Sequence, residues 1–345
     1  MKQIKSWVQA LGFTRLIAIT FFLLVAALVP ILGLNTASLY SQALVRIAMN
    51  SVLVLTMVPI MVCGAGMNFA LPIGIICGLI GGLISMNTGA SGFFGFLLAI
   101  ACSLPVSIVL GILYGMLMNR VKGSEMMIAT YVGYAVTALS CILWLYFPVS
   151  NDALKMQQGQ GVRPSIVLDE FWAGVLNDWH PIKIFSVTIP VGTFLFFGVC
   201  CLLVHLFMHS KTGMMMRIAG QNPGLARANG INVDRMRIIG ITLSTVIGAV
   251  GIMVYAQSFG FMQYYDSPRM MSFPAVAAVL LGGATNKRAS IFNVIFGVFV
   301  FQGLLTLSLP VANYILPESN ISDIVRMIVS NGIILYALAK GSEKI

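Results

Sequence analysis

Acid–base, metal and phosphate chemistry each need particular side chains at particular spacings, and this chain holds few of them. It has 3 His and 10 Asp+Glu in 345 residues. His205 and His209 stand four apart, so a helix would put both on one face. No Glu or Cys accompanies them and His180 lies far off, so no metal set is expected. The 6 cysteines, Cys63, Cys77, Cys102, Cys141, Cys200 and Cys201, all sit in apolar runs and read as small buried hydrophobes. No G-x-x-x-x-G-K-[ST] sequence occurs, and Lys211-Thr212 lacks the upstream glycines, so the chain has no phosphate loop of its own. The remaining candidates are polar and aromatic groups inside apolar stretches. Asn68, Phe69, Gln257 and Phe273 are the residues expected to line a route for a polar solute, with ordinary helix packing as the plain alternative.

The elements that must position these groups follow from composition. Hydrophobic residues make up 59% and charged residues only 9%, with a mean hydropathy of +0.95. An average soluble protein carries about 25% charged residues. A soluble enzyme, a disordered chain and a disulfide scaffold are excluded, and an all-α polytopic membrane protein is expected. The net charge of +10 is read as basic anchors on one side of a bilayer. Nucleic-acid binding is not expected, because no basic stripe is interleaved with exposed aromatics.

Charges punctuate the chain and mark the crossings. Residues 47–119 carry none, a length of ~110 Å if helical, enough for three passes of a ~30 Å core. About ten transmembrane helices are expected: Leu16 to Leu34, 42–62, 70–86, 93–118, Met126 to Ser150, Ile184 to Ser210, Ile238 to Ser258, a short broken segment from Met271 to Gly283, Ala289 to Leu309, and Ile321 to Ala339. The first is read as uncleaved, because no convincing small-residue cleavage site follows it. Both ends then share a side with Arg120, Lys122, Lys211, Arg217, Arg227, Arg235 and Arg237, which makes that side cytoplasmic and both termini cytoplasmic. Residues 148–183, with Asp152, Asp169, Glu170 and Asp178, form a long polar outer loop.

One transmembrane domain fills residues 1–345, and its halves look alike. Segment 42–147 and segment 238–340 each hold four crossings, and the second element of each is short and broken, at Pro72 and at Pro274. One begins outside and the other inside, so the repeats are inverted. Paired Gly/Pro-interrupted segments of this kind point to a transporter's central pathway. Gly111 and Gly115, and Gly248 with Gly251, offer small-residue faces for close packing. The crossings hold almost no ionisable groups at mid-depth. Asp323 and Arg326 stand at i,i+3 near the outer end of the last one. That scarcity opposes proton coupling, which needs a titrating carboxylate.

The loop from Lys211 to Arg237 carries most of the functional signal. Asn222 can cap a short helix over about 223–229 with Pro223 in its first turn, and Gly230 suits the position after its end. Thr212 and Gly213 are expected to end the sixth helix. Thr212-Gly213, Arg217, Gly220, Asn222, Ala226 and Gly230-Ile231 resemble the corresponding loop of ribose-type sugar permeases of ABC importers. That superfamily also includes permeases for nucleosides and branched-chain amino acids. Ala275-Val276-Ala277-Ala278-Val279-Leu280-Leu281-Gly282-Gly283-Ala284-Thr285 is similar to the family's Ala-Val-Val-Leu-Gly-Gly stretch.

The resemblance, which covers roughly 42–340, implies a vitamin B12-importer-like (type II) permease in the bacterial inner membrane. It implies two permease subunits, identical or paralogous, and a cytoplasmic ABC ATPase that holds ATP and Mg, so this chain needs no cofactor. An external solute-binding protein would deliver the cargo. Helix 223–229 becomes the coupling helix, and Thr212, Gly213, Arg217, Gly220, Asn222, Ala226 and Gly230 become the ATPase-coupling set. The expected cargo is a small neutral polar solute, a simple sugar first and a nucleoside second. An ion-coupled secondary carrier is the rival, since inverted repeats suit it equally. Sugar members carry Gly-Gly-Ile-Asp-Leu-Ser at the first broken element, whereas this chain has Gly64-Ala65-Gly66-Met67-Asn68-Phe69, with Asn68 in place of the carboxylate.

Overall fold

In lipid every backbone polar group must be satisfied within the protein, and apolar runs of this length meet that demand as helices. The computed structural model describes residues 13–156, 161–184, 186–265, 267–285, 288–315 and 332. Its helices are α1 (Phe13–Ile31), α2 (Thr36–Leu55), α3 (Met57–Val62), α4 (Leu71–Asn87), α5 (Gly92–Arg120), α6 (Glu125–Tyr146), α7 (Val191–His209), α8 (Lys211–Gln221), α9 (Pro223–Ala228), α10 (Val233–Phe259), α11 (Ser272–Leu281) and α12 (Ile291–Ile315). Six stretches are long and apolar enough to cross a membrane: Thr36–Val62, α5, α6, α7, α10 and Ile291–Tyr314. Leu16–Ile31, Leu71–Asn87 and Ser267–Leu281 are shorter apolar helices. The tenth expected crossing, with Asp323 and Arg326, lies outside the described residues.

Burial separates a centre from a rim. In its apolar 18-residue window Thr36–Val62 is 83% buried, whereas the same measure gives 28% for α5 and α7 and 22% for α6. Residues such as Phe94, Leu113, Leu139 and Leu203 therefore face outward on α5, α6 and α7, where hydrocarbon would solvate them. α10 lies against both α5 and α4, and α2 lies against α12 and α10. α10 and α2 thus form the centre on which α4, α5 and α12 pack. Close approach needs glycine. A Cβ on Gly78 of α4 would stand 2.6 Å from the Ala249 carbonyl of α10. Gly111 and Gly115 meet Thr242 and Ile238 of α10. This pair serves packing within the chain.

The segment expected as a polar outer loop is folded. Strand β1 (Ser165–Val167) pairs antiparallel with β4 (Phe261–Gln263), just beyond α10. Leu154, Val162, Leu168 and Trp172 are buried beneath it. The Trp172 ring packs edge-on to Phe96, and Trp144 packs edge-on to Tyr264 at 5.1 Å. Strands β2 (Ile182–Ile184) and β3 (Val187–Ile189) form a hairpin, so α7 begins at Val191 and not near residue 184. Burial of the Tyr264 phenol pushes its pKa up from the ordinary tyrosine value. α10, at ~1.5 Å per residue, is ~40 Å long, so this cap and the α8–α9 loop stand at opposite ends of the bundle.

Candidate functional site: the helical loop and the broken central helices

At one end α7 stops at Ser210, whose Oγ accepts from the Gly213 N–H at 3.2 Å and so caps the start of α8. Thr212 and Gly213 therefore open α8 and do not close the preceding helix. Gly213 is buried where α8 folds back, and a Cβ there would stand 2.3 Å from the Phe207 carbonyl. Arg217 is exposed on α8. Asn222 accepts from the Leu225 N–H at 3.0 Å and caps α9, with Pro223 at its first position. Ala226 is fully buried, while the rest of α9 is exposed, including Leu225 and Arg227. Gly230 closes α9 at φ +74°, a left-handed turn that costs glycine little. The result is a short, capped, basic helix projecting from the bundle.

Gly220 makes the contact that reaches inward. A Cβ on it would stand 2.1 Å from the Val62 carbonyl and 2.8 Å from the Gly64 nitrogen. The backbone of α8 therefore rests directly on the turn that ends α3, where Gly64 holds φ +76°. Only glycine on α8 allows that approach.

The base of α10 is pinned to the α5–α6 connection. Arg237 donates through Nη2 to the Glu125 carboxylate at 2.9 Å, with the arginine side chain 8% exposed. Lys122 pairs with Asp234, and Asn119 donates to the Asp234 carbonyl at 2.9 Å. Sequence reasoning read Arg120, Lys122 and Arg237 as interfacial anchors and missed these pairings, which span 112 positions or more and have no local signature.

The centre holds a break in the second crossing. Pro59 lacks an N–H and its ring crowds the carbonyl four residues back, so the helix divides at Thr56. The hydroxyl of Thr56 donates to the Leu53 carbonyl at 2.6 Å, and the Thr56 carbonyl accepts from the Ser244 hydroxyl of α10 at 2.8 Å. Ser244 in turn accepts from Asn68 Nδ2 at 2.9 Å. Asn68 is 3% exposed and its Oδ1 has no hydrogen-bond partner. Next to it, Phe69 meets Phe273 of α11 with ring centroids 5.5 Å apart. Three of the four residues expected along the route are thus brought together, Asn68 and Phe69 in sequence and Phe273 by contact.

Gln257 is elsewhere. It lies at the far end of α10, where its Oε1 accepts from the Leu176 N–H at 3.1 Å and its Nε2 donates to Ser258 at 2.6 Å. Asn177 accepts from both Thr193 and Ser258. Gln257 therefore fastens the folded 148–183 segment to the bundle. A glutamine in an apolar helix looks the same in sequence whether it meets solute or a loop backbone.

An apolar multi-pass bundle with a projecting basic helix resting on its broken central segment is the framework of a membrane permease. Residues 18–338 match the family described as branched-chain amino acid transport system / permease component, and the chain belongs to that family. The nucleoside ABC transporter permease protein NupC of Lactococcus lactis is 25% identical over 224 residues, 63% of this chain and 67% of that protein. The autoinducer 2 import system permease protein LsrD of Salmonella typhimurium is 27% identical over 196 residues, 55% of this chain and 54% of that protein. The guanosine ABC transporter permease protein NupQ of Bacillus subtilis is 28% identical over 100 residues, 29% of this chain and 31% of that protein. The chain thus spans about half of LsrD and less of NupQ. No solved structure matches the chain.

Proposed function

We propose that this chain is the transmembrane permease subunit of an ABC importer in the bacterial inner membrane. A separate cytoplasmic ATPase holds ATP and Mg, a second permease completes the pathway, and an external binding protein delivers a small neutral polar solute. Simple sugars and nucleosides are the candidate cargoes, and the likeness to the nucleoside permease NupC and the guanosine permease NupQ favours the nucleoside. The observation that carries the reading is the backbone contact of Gly220 with Val62 and Gly64. A push on α9 from an ATPase passes through α8 to the α3 turn, and from there along four residues to Asn68 and Phe69. The pins at Glu125–Arg237 and Lys122–Asp234 hold the base of α10 while α8 moves.

Two inverted repeats of the type II, vitamin B12-importer-like plan are part of the proposal. The reciprocal packing of α10 on α5 and α2 on α12 supports it, as do the short helices α4 and α11 at matching places. In this orientation α8 and α9 face the cytoplasm, along with both termini, and the folded 148–183 segment faces outward.

The test is reconstitution. Proteoliposomes holding the chain with its ATPase and binding protein are expected to take up solute only with ATP. Uptake by the chain alone, driven by a sodium or proton gradient, would overturn the proposal in favour of a secondary carrier.

A further inference from the structure

Two short stretches, far apart in sequence, present the same chemistry at one place. Asn68-Phe69 stands immediately before α4, and Ser272-Phe273 opens α11. The two phenylalanine rings touch, tilted by 53°. Each ring is preceded by a polar residue that is almost wholly buried, Asn68 at 3% and Ser272 at 2% exposure. Asn68 Oδ1 and Ser272 Oγ both lack a hydrogen-bond partner. A buried polar atom without a partner costs about as much as a lost hydrogen bond and is kept where it has a use. Local needs leave these two oxygens over: the amide nitrogen of Asn68 is already taken by Ser244.

We propose that Asn68, Ser272 and the Phe69–Phe273 pair form the solute-contact point of the pathway, and that its solute is a nucleoside. The inference rests on the permease reading above and names the cargo within it. Asn68 Oδ1 is an acceptor only, so it needs an N–H or O–H from the solute. Ser272 can give or accept. The paired rings offer π faces to a flat conjugated base, which stacks on aromatic side chains whatever its identity. A simple sugar supplies the hydroxyls without that flat face. No charged side chain hydrogen-bonds to these four residues among the described ones. Arg269, the nearest charge along the chain, stands over the Tyr134 ring at 4.8 Å. An uncharged solute fits such surroundings.

The two stretches also make a closed contact. With the rings together, Asn68 Oδ1 and Ser272 Oγ have no hydrogen-bond partner, and a solute that parted the rings would bring a partner to each. Gly133 lets α6 pack closely against this point, since a Cβ there would stand 2.9 Å from the Phe69 carbonyl.

The test uses the full assembly, permease with its ATPase and binding protein, in cells lacking other nucleoside and pentose uptake. Radiolabelled uridine and ribose are the probes. The wild type is expected to import uridine and not ribose. Ser272→Ala should lower uridine taken up per ATP hydrolysed about fivefold to tenfold, because one hydrogen bond to solute is lost. Ser272→Thr should restore it. Phe273→Leu should weaken uridine uptake more than Phe273→Trp does. Import of ribose in place of uridine, or of neither probe, would overturn the nucleoside assignment. Wild-type uptake per ATP in both Ser272→Ala and Asn68→Ala would overturn the contact point. Uridine import that persists without the ATPase would instead sink the permease reading and leave the contact point standing.

Discussion

Gly220→Ala is the sharpest perturbation of the coupling path. The added Cβ would lie 2.1 Å from the Val62 carbonyl, 2.8 Å from the Cys63 carbonyl carbon and 2.8 Å from the Gly64 nitrogen, all backbone atoms. Ordinary contact begins at 3.4 Å, so α8 must move off the α3 turn by about 1.3 Å. No flexible side chain can absorb that displacement. Overpacking of this kind costs about 1–3 kcal/mol. If about 1.4 kcal/mol of it enters the step that drives α3, uptake slows about tenfold. The assay is solute taken up per ATP hydrolysed in proteoliposomes, beside the thermal unfolding midpoint of the purified assembly. Gly224→Ala is the control, since its Cβ would meet nothing closer than Asn222 Oδ1 at 3.5 Å. The expected result is a large fall in uptake per ATP for Gly220→Ala and wild-type behaviour for Gly224→Ala. Wild-type uptake by Gly220→Ala would refute transmission through this contact.

Four further outcomes are expected. Asn222→Ala removes the α9 cap and should cost about 1 kcal/mol locally, read as weaker binding of the ATPase to the permease in a pull-down titration. Gly230→Val forces a β-branched residue to φ +74° and should uncouple ATP hydrolysis from uptake while insertion into the membrane stays normal. Glu125→Gln leaves the 8%-exposed Arg237 without its counter-charge and should destabilise the fold by about 3 kcal/mol, seen as a lowered unfolding midpoint that Arg237→Met in the same chain partly restores. Gln257→Leu removes the acceptor for the Leu176 N–H and the donor to Ser258, and should cost about 2 kcal/mol of anchorage, read as faster protease cleavage within residues 150–190.

Helix positions were legible because the physics behind them is local. Charge-free stretches long enough to span lipid are met as helices, and the breaks expected after residue 62 and after residue 86 fall where α3 and α4 end. The cap at Asn222 and the stop at Gly230 were equally visible, since each is set by the residue itself and its next few neighbours. The Ser210 cap was missed because the apolar run of α7 ends in a serine that looks like one more loop residue. The fold of 148–189 was missed because β1 pairs with β4 near residue 262 and Trp172 buries against Phe96 of α5. Hydropathy averages over such a segment and reports only that it is polar.

The sequence by itself determined that this protein lies in a bilayer as helices and that one connection carries a capped basic helix. Those properties follow from backbone hydrogen bonding and hydrophobic transfer, which act along the chain. Tertiary structure alone decided which polar groups meet. It set Gly220 on the α3 turn, joined Glu125 to Arg237 and Asn68 to Ser244, tied Gln257 to Leu176, and brought Phe69 against Phe273. Each of these is a contact between residues more than a hundred positions apart, or between a side chain and a distant backbone, where spacing along the chain holds no record of distance in space.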